Sequence, residues 1–575
     1  LTRILLSPLL RVNNVDGDIS KIARYGGVFK SHIKKWLYEY IHSSYEEMFD
    51  IIKLSYEPVN VFDFNTFIEY IDYTRKIKYI SLDNDRVKNY QECIIANWLF
   101  ANNIAYRYSQ VEEGLENSFY FQIKNTNIYI EYYEINEFDK ARVGLGDKEY
   151  KATIQERIKL YEDREDIIID IYHYDWTNNN IEKILHDRLA ENNISINPKK
   201  PNEIIEILTK MKLLDFQVDK YKSCLQAIRF QDLNNKSIEE LFNKHSVYNS
   251  KEYLKLLSKL KEQYIRELKK TKTIDYDNMI LTATDYINKG AIPTSYKNNP
   301  KVILTVVGDD WQSIYRFAGS RLELITKFDK FFGSHTLTKL ERTFRYNSSI
   351  AETAGKFIMQ NENQFKKDIK ANDIANESQV YLHDNYVDVE TTDATAYRAL
   401  QIISEIREKD EHGIIAILYR NNKTEKLIRE VFDGFDLKDE NVLYWTFHSS
   451  KGLEADYCII VDLVDSPVGF PNYLQNPKVL DALLPELDNY KYSEERRLFY
   501  VAMTRAKKEC HLIADIFSPS SFVVELVTQD YNLNIRSETF NKSEKTCPKC
   551  GRLLVIRKGK FKEFLGCSGW RPNNS

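Results

Sequence analysis

At 575 residues, with 43% apolar and 29% charged residues, the chain is too long for a single core and too apolar for a disordered one, so about four domains are expected. With 81 Lys+Arg against 85 Asp+Glu the formal charge is −4, so no global positive field draws the molecule to nucleic acid and any polyanion site must be a local patch. No apolar run approaches the roughly 18 residues of a membrane span, which excludes a bilayer as partner.

In chain order, the opening Leu1-Thr-Arg-Ile-Leu-Leu-Ser-Pro8 is too short and too soon broken for a signal peptide, and Leu1 in place of Met reads as a lost start. Residues 1–55 predict a small helical domain, with apolar positions between Phe29 and Ile41 spaced for one buried face. From 86 to 200 strands are expected over Phe119–Ile123, Ile128–Ile135 and Ile167–Tyr174, with helices over Tyr150–Asp163 and Asn180–Asn192, as in an inserted α/β domain. Helical periodicity returns over 201–300, and strands then alternate with helices to about 540. A Gly- and Lys-rich module closes the chain over 541–575. Cys93, Cys224, Cys458 and Cys510 stand alone in apolar or mixed segments, as reduced core residues of a cytoplasmic protein do.

The run Val302-Ile-Leu-Thr-Val-Val-Gly308 predicts a buried parallel strand, and Asp309-Asp-Trp-Gln-Ser-Ile-Tyr-Arg-Phe-Ala-Gly319 follows at its carboxyl end, where open α/β sheets bind ligands. Gln312 is placed to sense a phosphate or an attacking water, and Tyr315 and Phe317 to stack on bases. Three further strings sit at element boundaries: Leu340-Glu-Arg-Thr-Phe-Arg-Tyr-Asn347, Thr446-Phe-His-Ser-Ser-Lys-Gly-Leu-Glu-Ala-Asp456 and Glu494-Glu-Arg-Arg-Leu-Phe-Tyr-Val-Ala-Met-Thr-Arg-Ala-Lys507.

In order and spacing these four strings resemble motifs III to VI of superfamily 1 DNA helicases of the UvrD/Rep type, phrased most like the helicase IV group. The resemblance implies an α/β fold of RecA-like P-loop NTPase lobes with helical subdomains. It divides the chain into a remnant of the first lobe at 56–85, a helical subdomain at 201–300, the end of the first lobe with motif III at 301–340 and a second lobe at 341–540. It implies an ATP-dependent, Mg²⁺-requiring helicase moving 3′ to 5′ on single-stranded or partly duplex DNA, in repair or in defence against foreign DNA. Arg345 and Arg505 would face the γ-phosphate, where positive charge stabilises the transition state. Glu454 would hold the ribose beside Gly452, and Gln312 would couple phosphate to DNA. Tyr315, Phe317, Arg420 and His448 would touch the strand. The family's motif III carries Trp then Arg where this chain has Phe317 and Ala318, which keeps the stacking and removes a charged contact.

One requirement is unmet. A phosphate loop needs Gly-x-x-x-x-Gly-Lys-Ser/Thr, and the Gly-Lys pairs, Gly355-Lys356 and Gly559-Lys560, lack both the earlier glycine and the following hydroxyl. The Mg²⁺-binding Asp-Glu after an apolar strand is missing as well. Two readings compete: a decayed relative acting as an ATP-independent nucleic-acid-binding adaptor, or a chain lacking segments at the joins near residues 60 and 298. The retained arginines favour the second.

The insert resembles the endonuclease-like domain of some helicase IV relatives, with Glu131 retained but Ser118 in the metal-binding aspartate's place. A scaffold is expected rather than a helicase-nuclease. In the tail, Cys547-Pro-Lys-Cys550 and then Cys567 have zinc-ribbon spacing and resemble the ends of bacterial type I topoisomerases, implying Zn²⁺ and a fourth cysteine just beyond Ser575. Nine Lys/Arg against two Glu, interleaved with Phe561, Phe564 and Trp570, suit single-stranded nucleic acid.

Overall fold

The computed structural model describes residues 24–25, 29–76, 78–112, 115–123, 126–164, 166–233, 236–288, 305–387, 393–435, 437, 439–466, 469–472, 476–542, 547–548, 554–558 and 563–567. Two compact units emerge, Leu1–Pro300 with Pro477–Leu483, and Lys301–Asn476 with Leu484–Ser575. Among the described residues no helix is long and apolar enough to cross a membrane.

In the first unit the short strand Arg24–Tyr25 is followed by α1 (Lys30–Ile41) and α2 (Tyr45–Leu54). Ile33, Leu37 and Ile41, at helical spacing, are fully buried, and Ser44 caps α2 by accepting the Glu47 N–H at 3.1 Å. The insert is a four-stranded sheet in sequence order: β1 (Arg107–Glu112), β2 (Leu115–Ile123), β3 (Thr126–Tyr133) and β4 (Ile167–Tyr172). The first three strands pair antiparallel, and α3 (Asp147–Asp163) carries the chain across to the parallel pairing of β3 with β4. The β2, β3 and β4 regions match the expected strands. β1 is the one the pattern missed; Ser109 within it takes φ 53° without shifting the register to β2.

Registry sets Ser118, Glu131 and Asp170 side by side on β2, β3 and β4. Glu131 is 1% exposed and already holds a cation: Arg157 Nη1 lies 3.0 Å away, Ser118 Oγ donates at 3.1 Å and the Tyr161 hydroxyl at 3.3 Å. Burial pushes the Glu131 carboxyl up and the Arg157 charge opposes it.

The second unit is built on a six-stranded sheet of order β7-β6-β8-β9-β5-β10, parallel at every pairing. The strands are β5 (Val380–Asp384), β6 (Ile415–Tyr419), β7 (Val442–Thr446), β8 (Ala455–Leu463), β9 (Ala506–Ala514) and β10 (Asn534–Ile535). Every residue of β6 is buried, as a continuous apolar run in a covered parallel sheet requires. Ala416 and Leu418, with Cys458, Ile460, Cys510 and Leu512, face a core closed by α4 (Ser348–Ile358) and α7 (Ser493–Met503). Ile415 and Ile417, with Ile459 and Val461, face a second core closed by α5 (Ala394–Lys409) and α6 (Asn422–Gly434). This period-two division sandwiches the sheet between helical layers, the form of a RecA-like lobe.

The strand expected over 302–308 is corrected where the structure describes it. Thr305–Asp309 forms no strand, and Val306 and Val307 are 54% and 85% exposed. An apolar β-branched run becomes a parallel strand only when neighbours pair with it and helices cover it, and the described part of this one, residues 305–308, has neither.

Arg157→Ala should destabilise the insert by about 2–4 kcal/mol at pH 8 by leaving Glu131 buried and unpaired. An acid whose folded-state pKa is raised costs stability when ionised and is relieved as pH falls. Urea unfolding should therefore show a smaller loss at pH 5; equal losses at both pH values would contradict this assignment.

Candidate nucleotide and nucleic-acid site

Four separated strings converge on the second unit because α4 and α7 are tied to the strand ends. Asn347 caps α4 through its side-chain oxygen on the Ile350 N–H (3.2 Å), while its amide nitrogen donates to the carbonyls of Lys507 and Lys508 at 3.3 and 2.7 Å. The Tyr346 and Tyr500 hydroxyls meet at 3.2 Å. Arg345 is thereby brought to Arg505, and the two guanidinium groups lie within electrostatic range of each other.

Arg505 is fully buried and donates to the carbonyls of Val501 (2.8 Å) and Leu453 (3.1 Å) and to Thr504 Oγ1 (3.2 Å). Burial, and after it the Arg345 charge, push its pKa down to about 10. The carboxylate beside it, Glu454, is shared: Lys507 Nζ lies at 2.9 Å and Arg345 Nε at 3.6 Å. The Lys507 bond, then the surrounding cations, hold Glu454 below the usual carboxylate range. Three cations therefore surround one carboxylate, and the excess positive charge suits a polyphosphate. Gly452 turns the preceding loop at φ 89°, a conformation that favours glycine.

Gln312 sits on a short 3₁₀ turn, Asp310–Gln312, with its Nε2 on Asp309 Oδ2 at 2.5 Å and its carbonyl accepting from Lys451 Nζ at 2.8 Å. Lys451 is within electrostatic range of both Asp309 and Arg505, so this loop and the arginine pair share one field. Beyond it, the Tyr315 hydroxyl donates to the His448 carbonyl at 3.2 Å. Phe317, 57% exposed, packs edge-on to His448 with ring centres 5.5 Å apart. Burial and then Arg420 depress the His448 imidazole to about 4. The Arg420 guanidinium, expected to touch the strand, is engaged by Glu495, Nη2 at 2.9 Å and Nε at 3.3 Å.

The cations present suit a polyphosphate; among the described residues no group of three or more His, Cys, Asp or Glu could hold a metal ion. In the tail, β11 (Leu554–Lys558) and β12 (Glu563–Cys567) form an antiparallel hairpin that returns Cys567 opposite Leu554, four positions after Cys550. Cys547 and Cys567 are half-buried, and Cys550 lies outside the described residues. Thiolates at this spacing are the ligand chemistry Zn²⁺ takes.

Sequence reasoning missed Asn347, Lys451 and Lys507, although all three stand inside the quoted strings. Lys507, two residues past Arg505, was legible as an added cation but not as the partner of Glu454.

Residues 432–515 match the family described as UvrD-like helicase C-terminal domain, and residues 544–570 the topoisomerase DNA-binding C4 zinc finger. DNA helicase IV of Escherichia coli is 30% identical over 316 residues, covering 51% of this chain and 43% of that protein. DNA helicase II of Haemophilus influenzae is 31% identical, covering 22% and 16%, and the ATP-dependent DNA helicase PcrA of Bacillus subtilis 24% identical, covering 39% and 34%. The chain is thus a distant homologue of these DNA helicases, and it spans less than half the length of the curated relatives it matches.

His448 should remain neutral throughout pH 6–8, with its imidazole titrating near 4 when followed by nitrogen–proton NMR. A midpoint near the unperturbed value of about 6.5 would contradict the burial described.

Proposed function

We propose that the chain carries the arginine face and the strand-contacting face of an ATP-driven, cytoplasmic DNA helicase that translocates 3′ to 5′ along single-stranded or partly duplex DNA, in repair or in defence against foreign DNA. The observation that carries this reading is the Arg345–Arg505–Lys507 cluster around the single Glu454 carboxylate. Charge shifting on a γ-phosphate in the transition state would meet guanidinium groups held ready by the fold, with little reorganisation at the moment of reaction. Glu454, kept ionised by Lys507, can accept a hydrogen bond from a ribose hydroxyl, and Gln312 reports phosphate occupancy to the loop that ends on Tyr315 and Phe317. That aromatic face, with a neutral His448, stacks on bases irrespective of sequence.

In this reading the phosphate loop and its Mg²⁺-binding carboxylates come from polypeptide outside these 575 residues. The exposed Val306-Val307 run supports that view, since it is a strand sequence without partners. The tail would fold around Zn²⁺ and add a basic, aromatic contact to single strands. A second reading is favoured by the absent phosphate loop: an ATP-independent DNA-binding adaptor on a decayed helicase scaffold.

Phosphate release by the full-length gene product, with and without single-stranded DNA, separates the two. Arg345→Ala and Arg505→Ala should each lower DNA-stimulated hydrolysis by about 10³-fold or more while retaining strand binding. Wild-type protein that binds DNA yet releases no phosphate establishes the adaptor. Phe317→Ala should weaken binding to oligo-dT roughly tenfold, as loss of one stacking platform does; unchanged affinity would remove that residue from the interface.

A further inference from the structure

Asp309 heads the loop that presents Gln312, Tyr315 and Phe317, and three donors converge on its carboxylate. These are Gln312 Nε2 at 2.5 Å, the Trp311 N–H at 3.1 Å and Lys367 Nζ at 2.7 Å. Lys367 arrives from the segment after α4. It is 15% exposed at its side chain, pairs also with Asp310, and lies 4.9 Å over the Trp311 ring.

The rest of that segment reinforces the junction. The Phe365 N–H donates to Asp310 Oδ2 at 2.8 Å, Trp311 Nε1 to the Phe365 carbonyl at 2.9 Å, and Gln364 Nε2 to the Asp310 carbonyl at 3.3 Å. Asp310 and Trp311 are each 1% exposed.

Two adjacent carboxylates, one of them buried, repel each other unless a cation lies between them. Lys367 is that cation. Without it Asp309, 38% exposed at its side chain, would turn outward to water, and Gln312 would lose its acceptor.

We propose that Lys367 is the positioning residue of this loop: by holding Asp309 it fixes the Gln312 amide and the height at which Tyr315 and Phe317 stand beside His448. The proposal rests on the reading that this aromatic face receives single-stranded DNA, and it adds a residue lying outside every motif string.

The test is photo-cross-linking of the full chain to an oligo-dT carrying 5-iodouracil, with cross-linked peptides mapped by mass spectrometry. Wild type should cross-link at the peptides containing Tyr315, Phe317 or His448, and Lys367→Ala should cut that yield about fivefold, as misplacement of a contact group does. Lys367→Arg should restore more than half of it. Lys366→Ala, which removes an exposed cation one position away, should leave it unchanged. If Lys367→Ala melts below the assay temperature, Asp309→Asn carries the test, since it removes the held charge at constant size. Wild type that fails to cross-link at these peptides overturns the strand-binding face itself. Wild type that cross-links, with Lys367→Ala or Asp309→Asn matching it, overturns the clasp alone, as does a Lys367→Arg variant that cross-links no better than Lys367→Ala.

Discussion

A fully buried guanidinium with no carboxylate of its own is the constraint around which the second unit is organised. Arg505 gives its hydrogen bonds to two backbone carbonyls and a threonine hydroxyl, which offer each of its three nitrogens an acceptor without neutralising its charge. Arg345 stands close enough to depress it further, and the shared Glu454 is also claimed by Lys507. Desolvated like charges cost stability unless the surrounding structure over-determines them. Here it does: Arg505 lies between the end of α7 and the start of β9, the Ala455 N–H donates to its carbonyl at 3.1 Å, and Asn347 fastens α4 to the residues just after it.

The two-core sheet supplies the rigidity this arrangement needs. β6 is buried on both faces and β8 and β9 contribute to both cores, so the flanking loops that carry Gly452, Glu454 and Arg505 are anchored to a packed sheet. Among the described residues no strand leads into the loop bearing Gln312. It is instead held by Lys367, by Lys451 on its carbonyl, and by Arg497 Nε on the Ser313 carbonyl at 2.8 Å.

Comparison of two apolar runs shows what was legible in the sequence. Ile415–Tyr419 and Val302–Val307 read alike, yet the first is a fully buried strand and Val306 and Val307 of the second are exposed, because pairing and coverage come from elsewhere in the chain. In the insert, alternating strands with a helix between them were readable locally, whereas the capture of Glu131 by Arg157 depends on residues 26 positions apart. Motif strings singled out Arg345, Arg505 and Glu454 and implied one shared pocket, but not the hydrogen bonds and ion pairs that hold them. The partners of Arg420, Asp309 and Asn347 lie 75, 58 and 160 or more positions away, and no local pattern encodes them.

The claim that this cluster holds unmet positive charge is tested most directly by thermal unfolding of the chain with millimolar tripolyphosphate. Ligand that binds the folded state raises the melting temperature, and an occupied cluster should raise it by about 2–4 °C in the wild type. The shift should vanish in an Arg345→Gln, Arg505→Met double variant, in which the buried charge is replaced by a side chain of similar length. A wild-type protein that shows no shift, or a variant that keeps all of it, would contradict the account.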